Sequence, residues 1–235
     1  MIDINCDVGE GRNNEHLLMP YINSCNIACG AHAGDTQTME RVVELAIYNN
    51  VKIGAHPSYP DKENFGRISM EIHPSELRKT LRNQIKLLEK EVHSHGQSIH
   101  HIKPHGALYN DLVKDKNLAV GFLNSLKDYL QSYKLFVPFG SVIAKEAEKR
   151  DVIVVYEAFA DRNYNDDLSL VSREEDNAVL VNTNEIIKHV SGMVKNGLVT
   201  TVSGKKIPIT ASTICVHSDT ANAVEIVKQL HQQFN

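Results

Sequence analysis

One constraint runs the length of this chain. Short apolar segments of strand length alternate with longer amphipathic segments of helix length. The run ending at INCDVGE comes first, and after a polar excursion the small-residue stretch NIACGAHAGD follows. VKIGAHP, HIKPHG, KLFVPFG, VIVVYEAF and STICVHSD read as further strands, and AVLV as an additional one. Between them lie the helical segments DTQTMERVVELAIYNN, HPSELRKTLRNQIKLLEKEVHSHG, NLAVGFLNSLKDYLQ, SVIAKEAEKR, TNEIIKHVSGMVKNG and TANAVEIVKQLHQQF, while TVSGKKIPI reads as a turn or small hairpin around Ser203-Gly204. Caps support the helices: Asp35 or Thr36 before Met39, Val42, Val43 and Ala46 on one face, Pro74 at the start of the long helix and Gly96 past its end. Such alternation implies a parallel sheet with helices outside. Right-handed crossovers leave an open doubly wound sheet or a closed barrel. We expect an α/β fold, a (β/α) TIM-like barrel of seven or eight strands, with residues 1–235 as one domain.

The polar residues favour the barrel, because nearly every strand ends in them. The first ends at Asn5, Asp7 and Glu10; then come His32 and Asp35, His56, Lys103 and His105, Glu157, Asp161 and Arg162, and finally His217 and Asp219. In a barrel of parallel strands these ends meet at one mouth. So many ionisable groups are costly to bury without partners, so their clustering reads as a site. Asp61, Asn64 and Arg67 lie on a long loop after the His56 strand, where the lips of such a site form. Gly30, Gly34, Gly54, Gly106 and Gly140 flank the same strand ends and suggest backbone approaching a ligand. His93, His95, His100 and His101 crowd a helix end and turn, where solvated or capping roles are expected.

Composition excludes several classes. The net charge of -4 argues against a nucleic-acid binder. No apolar run has membrane-spanning length and no signal peptide is visible, so a cytoplasmic location without membrane contact is expected. Four cysteines read as buried, reduced thiols rather than a disulfide framework. No GxGxxG follows a strand, and no GxxxxGK[ST] phosphate loop occurs, SGKK lacking the preceding glycine spacing.

Six motifs carry a resemblance. NCDVGEG, NIACGAHAGD, IGAHPSYPD with FGR, KPHGALYN, EAFADRNY and VHSD, spread from Asp3 to Asp219, are similar in order and spacing to the LamB/YcsF family, the group of 5-oxoprolinase A subunits. Ser218, Ile68 and Asp167 depart from it, standing where Gly, Arg and Gly are usual, while Arg173 fits the family's arginine. The resemblance implies a polysaccharide-deacetylase-like barrel and ATP-dependent opening of 5-oxo-L-proline to L-glutamate, with ATP as co-substrate of a complex with 5-oxoprolinase subunits B and C.

A lactam resists water, so its amide oxygen must be activated and the water must meet a base. Without a phosphate loop, ATP is held either by a non-standard cradle here or by the partner subunits. Asp7 is read as the general base with Glu10 close behind, and His32, His56 and His105 as orienting groups, acids or metal ligands. Lys103 and Arg67 would stabilise an oxyanion or phosphate, Arg162 or Arg173 the substrate carboxylate, and Asn5 and Asn110 the lactam edge. A divalent metal stays open: Asp and His at strand ends resemble Asp-His-His zinc sites of deacetylase-like barrels, yet no HxH or HExxH spacing occurs at those strand ends. The alternatives are a stand-alone metal-dependent amidohydrolase or deacetylase, for which 6% aromatics and no tryptophan make a thin sugar groove, and a non-catalytic substrate-binding subunit.

Overall fold

The computed structural model describes residues 2–235. Seven parallel strands close into a barrel: β1 (Asp3–Val8), β2 (Ser24–Ala28), β3 (Lys52–His56), β4 (His101–Ile102), β5 (Lys134–Pro138), β6 (Val154–Phe159) and, after an antiparallel hairpin of β7 (Leu198–Thr200) and β8 (Lys206–Pro208), β9 (Thr213–His217), which pairs with both β6 and β1. Around it lie α1 (Glu15–Leu18), α2 (Thr36–Tyr48), α3 (Pro74–Ser94), α4 (Gly106–Lys114), α5 (Lys116–Ser125), α6 (Val142–Glu148), α7 (Thr183–Asn196) and α8 (Ala223–Phe234). No helix among the described residues is long and apolar enough to cross a membrane.

Local chemistry explains these boundaries. Asp35 caps α2 by accepting the Thr38 amide at 2.8 Å, and Met39, Val42, Val43 and Ala46 turn to the core. Pro74 sits in the first turn of α3, whose Leu77, Leu81, Ile85, Leu88 and Val92 form its buried stripe. Gly197, left-handed at φ 64°, ends α7. All four cysteines are free and buried.

One expected strand is absent from the barrel. AVLV is not an eighth strand: Val179 makes an isolated antiparallel bridge to Arg162, and the Leu180 amide bonds to Asp161 O at 2.9 Å, so the segment fastens the loop after β6 instead of entering the sheet. The helix α4 was hidden because Pro104 and Gly106 read only as a strand-ending turn.

The barrel interior is polar at one level. Register aligns Asp7 with Asn26, Asn26 with Gly54, and Gly54 with His101, so these four share a layer. His101 is fully buried, not solvated as expected. Its Nε2–H donates to Asn26 Oδ1 at 2.7 Å, and its ring stacks on Phe136 at 3.8 Å. Gly54 makes this possible, since a Cβ there would lie 2.1 Å from His101 Nε2. Gly106 likewise accommodates protein rather than ligand, a Cβ meeting Gly66 O at 2.4 Å. A Cβ at Gly34 would press on the Ala28 and Gly9 carbonyls, and one at Gly30 or Gly140 would meet nothing within 4 Å. Gly54→Ala is therefore expected to destabilise the fold by about 1–3 kcal/mol through overpacking; a urea melt with an unchanged midpoint would show that the ring has another place to go.

Candidate active site

At the floor of the mouth sits Lys103, just past β4 and buried. Its ammonium donates to Asp7 Oδ1 at 2.8 Å, to Glu157 Oε1 at 3.0 Å and to Cys215 Sγ at 3.0 Å. The carboxylates are satisfied from other sides as well. Asn26 Nδ2 donates to Asp7 at 2.8 Å; Asn5 Nδ2 and Tyr109 OH donate to Glu157 at 3.0 and 2.8 Å. Burial works against the Lys103 charge, but Asp7, Cys215 and Glu157 outweigh it and hold the amine well above its ordinary range. Burial likewise opposes ionised Asp7, and His56 and Lys103 override it, holding that carboxyl well below the usual range.

Above this floor three imidazoles surround Glu10. His56 Nδ1 lies 2.7 Å from Lys103 O, and His105 Nε2 lies 2.9 Å from Phe65 O. His32 Nδ1 lies 3.0 Å from Ser58 Oγ, and the His32 ring stacks on His105 at 3.7 Å. Glu10 Oε1 is 3.1 Å from His32 Nε2, 3.3 Å from His105 Nδ1 and 3.9 Å from His56 Nε2. Burial raises the Glu10 carboxyl, only partly offset by His105. Burial, with the neighbouring rings added, lowers His32 and His105. Donor atoms of Glu10, His56 and His105 lie within 4.8 Å of one another, as do those of Asp7, Cys215 and His217.

On the opposite wall His217 Nδ1 bonds to Asp161 Oδ1 at 3.0 Å, and Asp161 also accepts from the His217 amide and the Thr220 hydroxyl. Burial would raise Asp161, and His217 overrides it and lowers the carboxyl. His217 lines the cavity, its ring tied to Asp161 through Nδ1. This cavity of about 360 Å³ is also lined by Asp7, Glu10, Arg67, Asn110 and Arg173. A wider lobe of about 740 Å³ adjoins it past Arg67, Tyr109 and Phe159, reaching Phe139 and Leu168.

Most of the expected residues thus converge, in distinct positions. Asp35 does not: it is an exposed helix cap. Asn5 lies beneath the cavity floor, supporting Lys103 together with Glu157, which borders the wider lobe. Arg162 borders the cavity, but its guanidinium donates to the Val171 and Ala178 carbonyls; burial first and then Arg173 lower it to about 10. Asp219 sits at the rim, 2.7 Å from Arg67 and 3.9 Å from Arg173. Of the three departures from the family pattern, Ile68 is exposed and Asp167 closes a turn on Ser169, while the Ser218 hydroxyl is buried without a partner beside His217. Sequence reading missed Asn26, Tyr109, Cys215 and His101. Strand parity with Ala28 offered a signal for Asn26, whereas Tyr109 sits on the unrecognised α4.

The LamB/YcsF family model matches residues 2–235. The 5-oxoprolinase A subunit of Bacillus cereus is 40% identical over 239 residues, spanning 99% of this chain and 94% of the relative. That of Bacillus thuringiensis matches at the same level, 40% over 99% of this chain and 94% of its own. Among solved structures, a lactam utilization protein from Thermus thermophilus superposes with a TM-score of 0.91 at 31% identity, covering 98% of this chain and 94% of that one. A family 4 carbohydrate esterase from Streptomyces lividans, at TM-score 0.50 and 10% identity over 98% of this chain and 85% of its own, shares the fold.

Lys103→Met would leave Asp7 and Glu157 buried without their cation, an expected loss of about 3–5 kcal/mol, read from chemical denaturation. Asp7 and Asp161 have depressed folded values, so the stability they add is full above roughly pH 4 and drains away as pH falls towards those values. In the variant Asp7 loses one cause of its depression, so its folded and unfolded values draw together and the loss of stability below about pH 4 should become smaller. A loss as large as in the unaltered chain would separate Lys103 from Asp7.

Proposed function

Because the chain belongs to the LamB/YcsF family, we propose that it acts as the A subunit of an ATP-dependent 5-oxoprolinase, opening 5-oxo-L-proline to L-glutamate together with subunits B and C. What carries this reading is the meeting, in one small cavity, of an Asp–His pair and unburied arginines in a chain so similar to 5-oxoprolinase A subunits.

The cavity suits a small lactam acid. Arg67 and Arg173 offer the substrate carboxylate planar donors, and Asn110 faces the lactam edge from the same cavity. His217 is the general base in this reading. Asp161 holds its Nδ1–H and stabilises the imidazolium that forms, leaving Nε2 to take a proton from water. Asp7, first in the sequence-based reading, is a poor acceptor: Lys103 and Asn26 occupy Oδ1, and its affinity for a proton is suppressed. Its charge instead stabilises cations at the cavity floor. Every Lys103 N–H is engaged, so Lys103 acts through Asp7 and not on substrate.

ATP enters through the partners. SGKK forms the hairpin turn, with Lys205 paired to Asp166 at 2.7 Å, and makes no phosphate cradle. Subunits B and C supply the phosphoryl group to the lactam oxygen, and the wider lobe leaves room for its donor. Water then adds at the ring carbon, with His217 taking its first proton. The C–N bond breaks as nitrogen gains both protons of that water, leaving an acyl phosphate. A second water converts this to L-glutamate and phosphate.

Glutamate release from 5-oxo-L-proline and ATP should be negligible with this chain alone and appear when subunits B and C are added. His217→Gln and Asp161→Asn should each lower kcat about 10²–10⁴-fold in the complex, with the melting temperature holding in His217→Gln. Full turnover in His217→Gln would remove the base, and no turnover in any reconstituted wild-type complex would remove the function.

A further inference from the structure

The hydrogen positions around Glu10 follow from the acceptors that surround it. A carbonyl oxygen only accepts, so His56 carries its hydrogen on Nδ1, facing Lys103 O, and His105 carries its hydrogen on Nε2, facing Phe65 O. His56 Nε2 and His105 Nδ1 are therefore both lone pairs, and they face each other at 3.0 Å. Two neutral imidazoles cannot bond in that way. The third ring repeats the pattern. Ser58 Oγ donates to Tyr59 O at 2.8 Å, so it accepts from His32 Nδ1–H, and the His32 Nε2 lone pair points at Glu10 Oε1, 3.1 Å away. Several lone pairs and a carboxylate oxygen converge with no hydrogen of a neutral ring between them.

We propose that Glu10, His56 and His105 form a binding site for one divalent transition-metal ion of the zinc type, open towards the cavity. The donor–donor edges are 3.0, 3.3 and 3.9 Å. A tetrahedral ion with bonds of about 2.0–2.1 Å needs edges of about 3.3 Å, so small shifts seat it. Two imidazoles and one carboxylate suit a borderline ion and not magnesium or calcium, which favour all-oxygen sets. Each ligating ring is held by a backbone carbonyl on its other nitrogen, the arrangement that fixes tautomer and aim in metal sites. His32 stacks on His105 and touches the Glu10 oxygen, positioning both. Charge agrees: Asp7 and Glu157 share the single ammonium of Lys103, and Glu10 meets only imidazoles, an excess of negative charge that a divalent cation cancels. The set is not an Asp-His-His site: Lys103 and Asn26 occupy Asp7 Oδ1, and Asp7 Oδ2, although 3.4 Å from His56 Nε2, lies outside the Glu10, His56 and His105 cluster.

The test needs no turnover, so its outcome is separate from the fate of the oxoprolinase reading. The full-length chain, stripped by chelator and dialysed against zinc, should retain a single equivalent by elemental analysis and melt at a higher temperature. His56→Gln and His105→Gln should each weaken zinc binding by about 100-fold or more, beyond what outer contacts contribute. Glu10→Gln, which keeps shape, should weaken it too. Cobalt bound to the wild-type chain reads the donors without any variant, and its spectrum should show ligand-field bands with no thiolate charge transfer. Substoichiometric zinc after reconstitution, undiminished binding in the histidine variants, or a thiolate band pointing to Cys215 would each overturn the site.

Discussion

A single buried ammonium organises this molecule's mouth. Lys103 sits where the strands β1, β6 and β9 send Asp7, Glu157 and Cys215 inward, and it bonds to all three. A charge so placed survives only if its partners are complete, because desolvation is otherwise too costly. The rest follows from completing them. Asn5, Asn26 and Tyr109 are committed to the carboxylates, and Asn26 in turn anchors His101 across the barrel. The layer that would be packed with branched aliphatics in an ordinary barrel core is thus a hydrogen-bonded lattice. The result is a rigid platform on which Asp7 stays ionised.

The fold was largely legible in the sequence because barrel strands and their helices differ in period, and because caps such as Asp35 and Pro74 mark boundaries locally. The gathering of imidazoles and carboxylates was legible too, since parallel strands must deliver their ends to one side. What escaped reading was depth. Asn5 sits at a strand position just as Asp7 does, yet inward packing sinks it beneath the cavity. Asp35 carries the same carboxylate as Asp161, but a helix begins at one and a loop wraps over the other. Which strand end points at solvent and which at a neighbour is a tertiary matter, and α4 was lost for the same reason: Gly106 takes a turn-like conformation and still opens a helix.

The site divides into two walls of different character. Around Glu10, the His56 and His105 rings are tied to main-chain carbonyls and the His32 ring to the Ser58 hydroxyl. The His217 wall is an isolated pair, Asp161 and His217, with the guanidinium groups of Arg67 and Arg173 reaching over the gap. One wall is fixed and electron-rich, the other supplies proton transfer and anion recognition.

The meeting of two glycines has a consequence for how this mouth can change. The Ala107 amide bonds to Gly66 O, the His105 amide to Pro57 O and the His105 ring to Phe65 O, and neither Gly66 nor Gly106 leaves space for a side chain between them. Residues 57–66 and 105–107 are therefore one cassette, inherited or transplanted together. Lengthening the first part by even one residue would rotate an imidazole in the second.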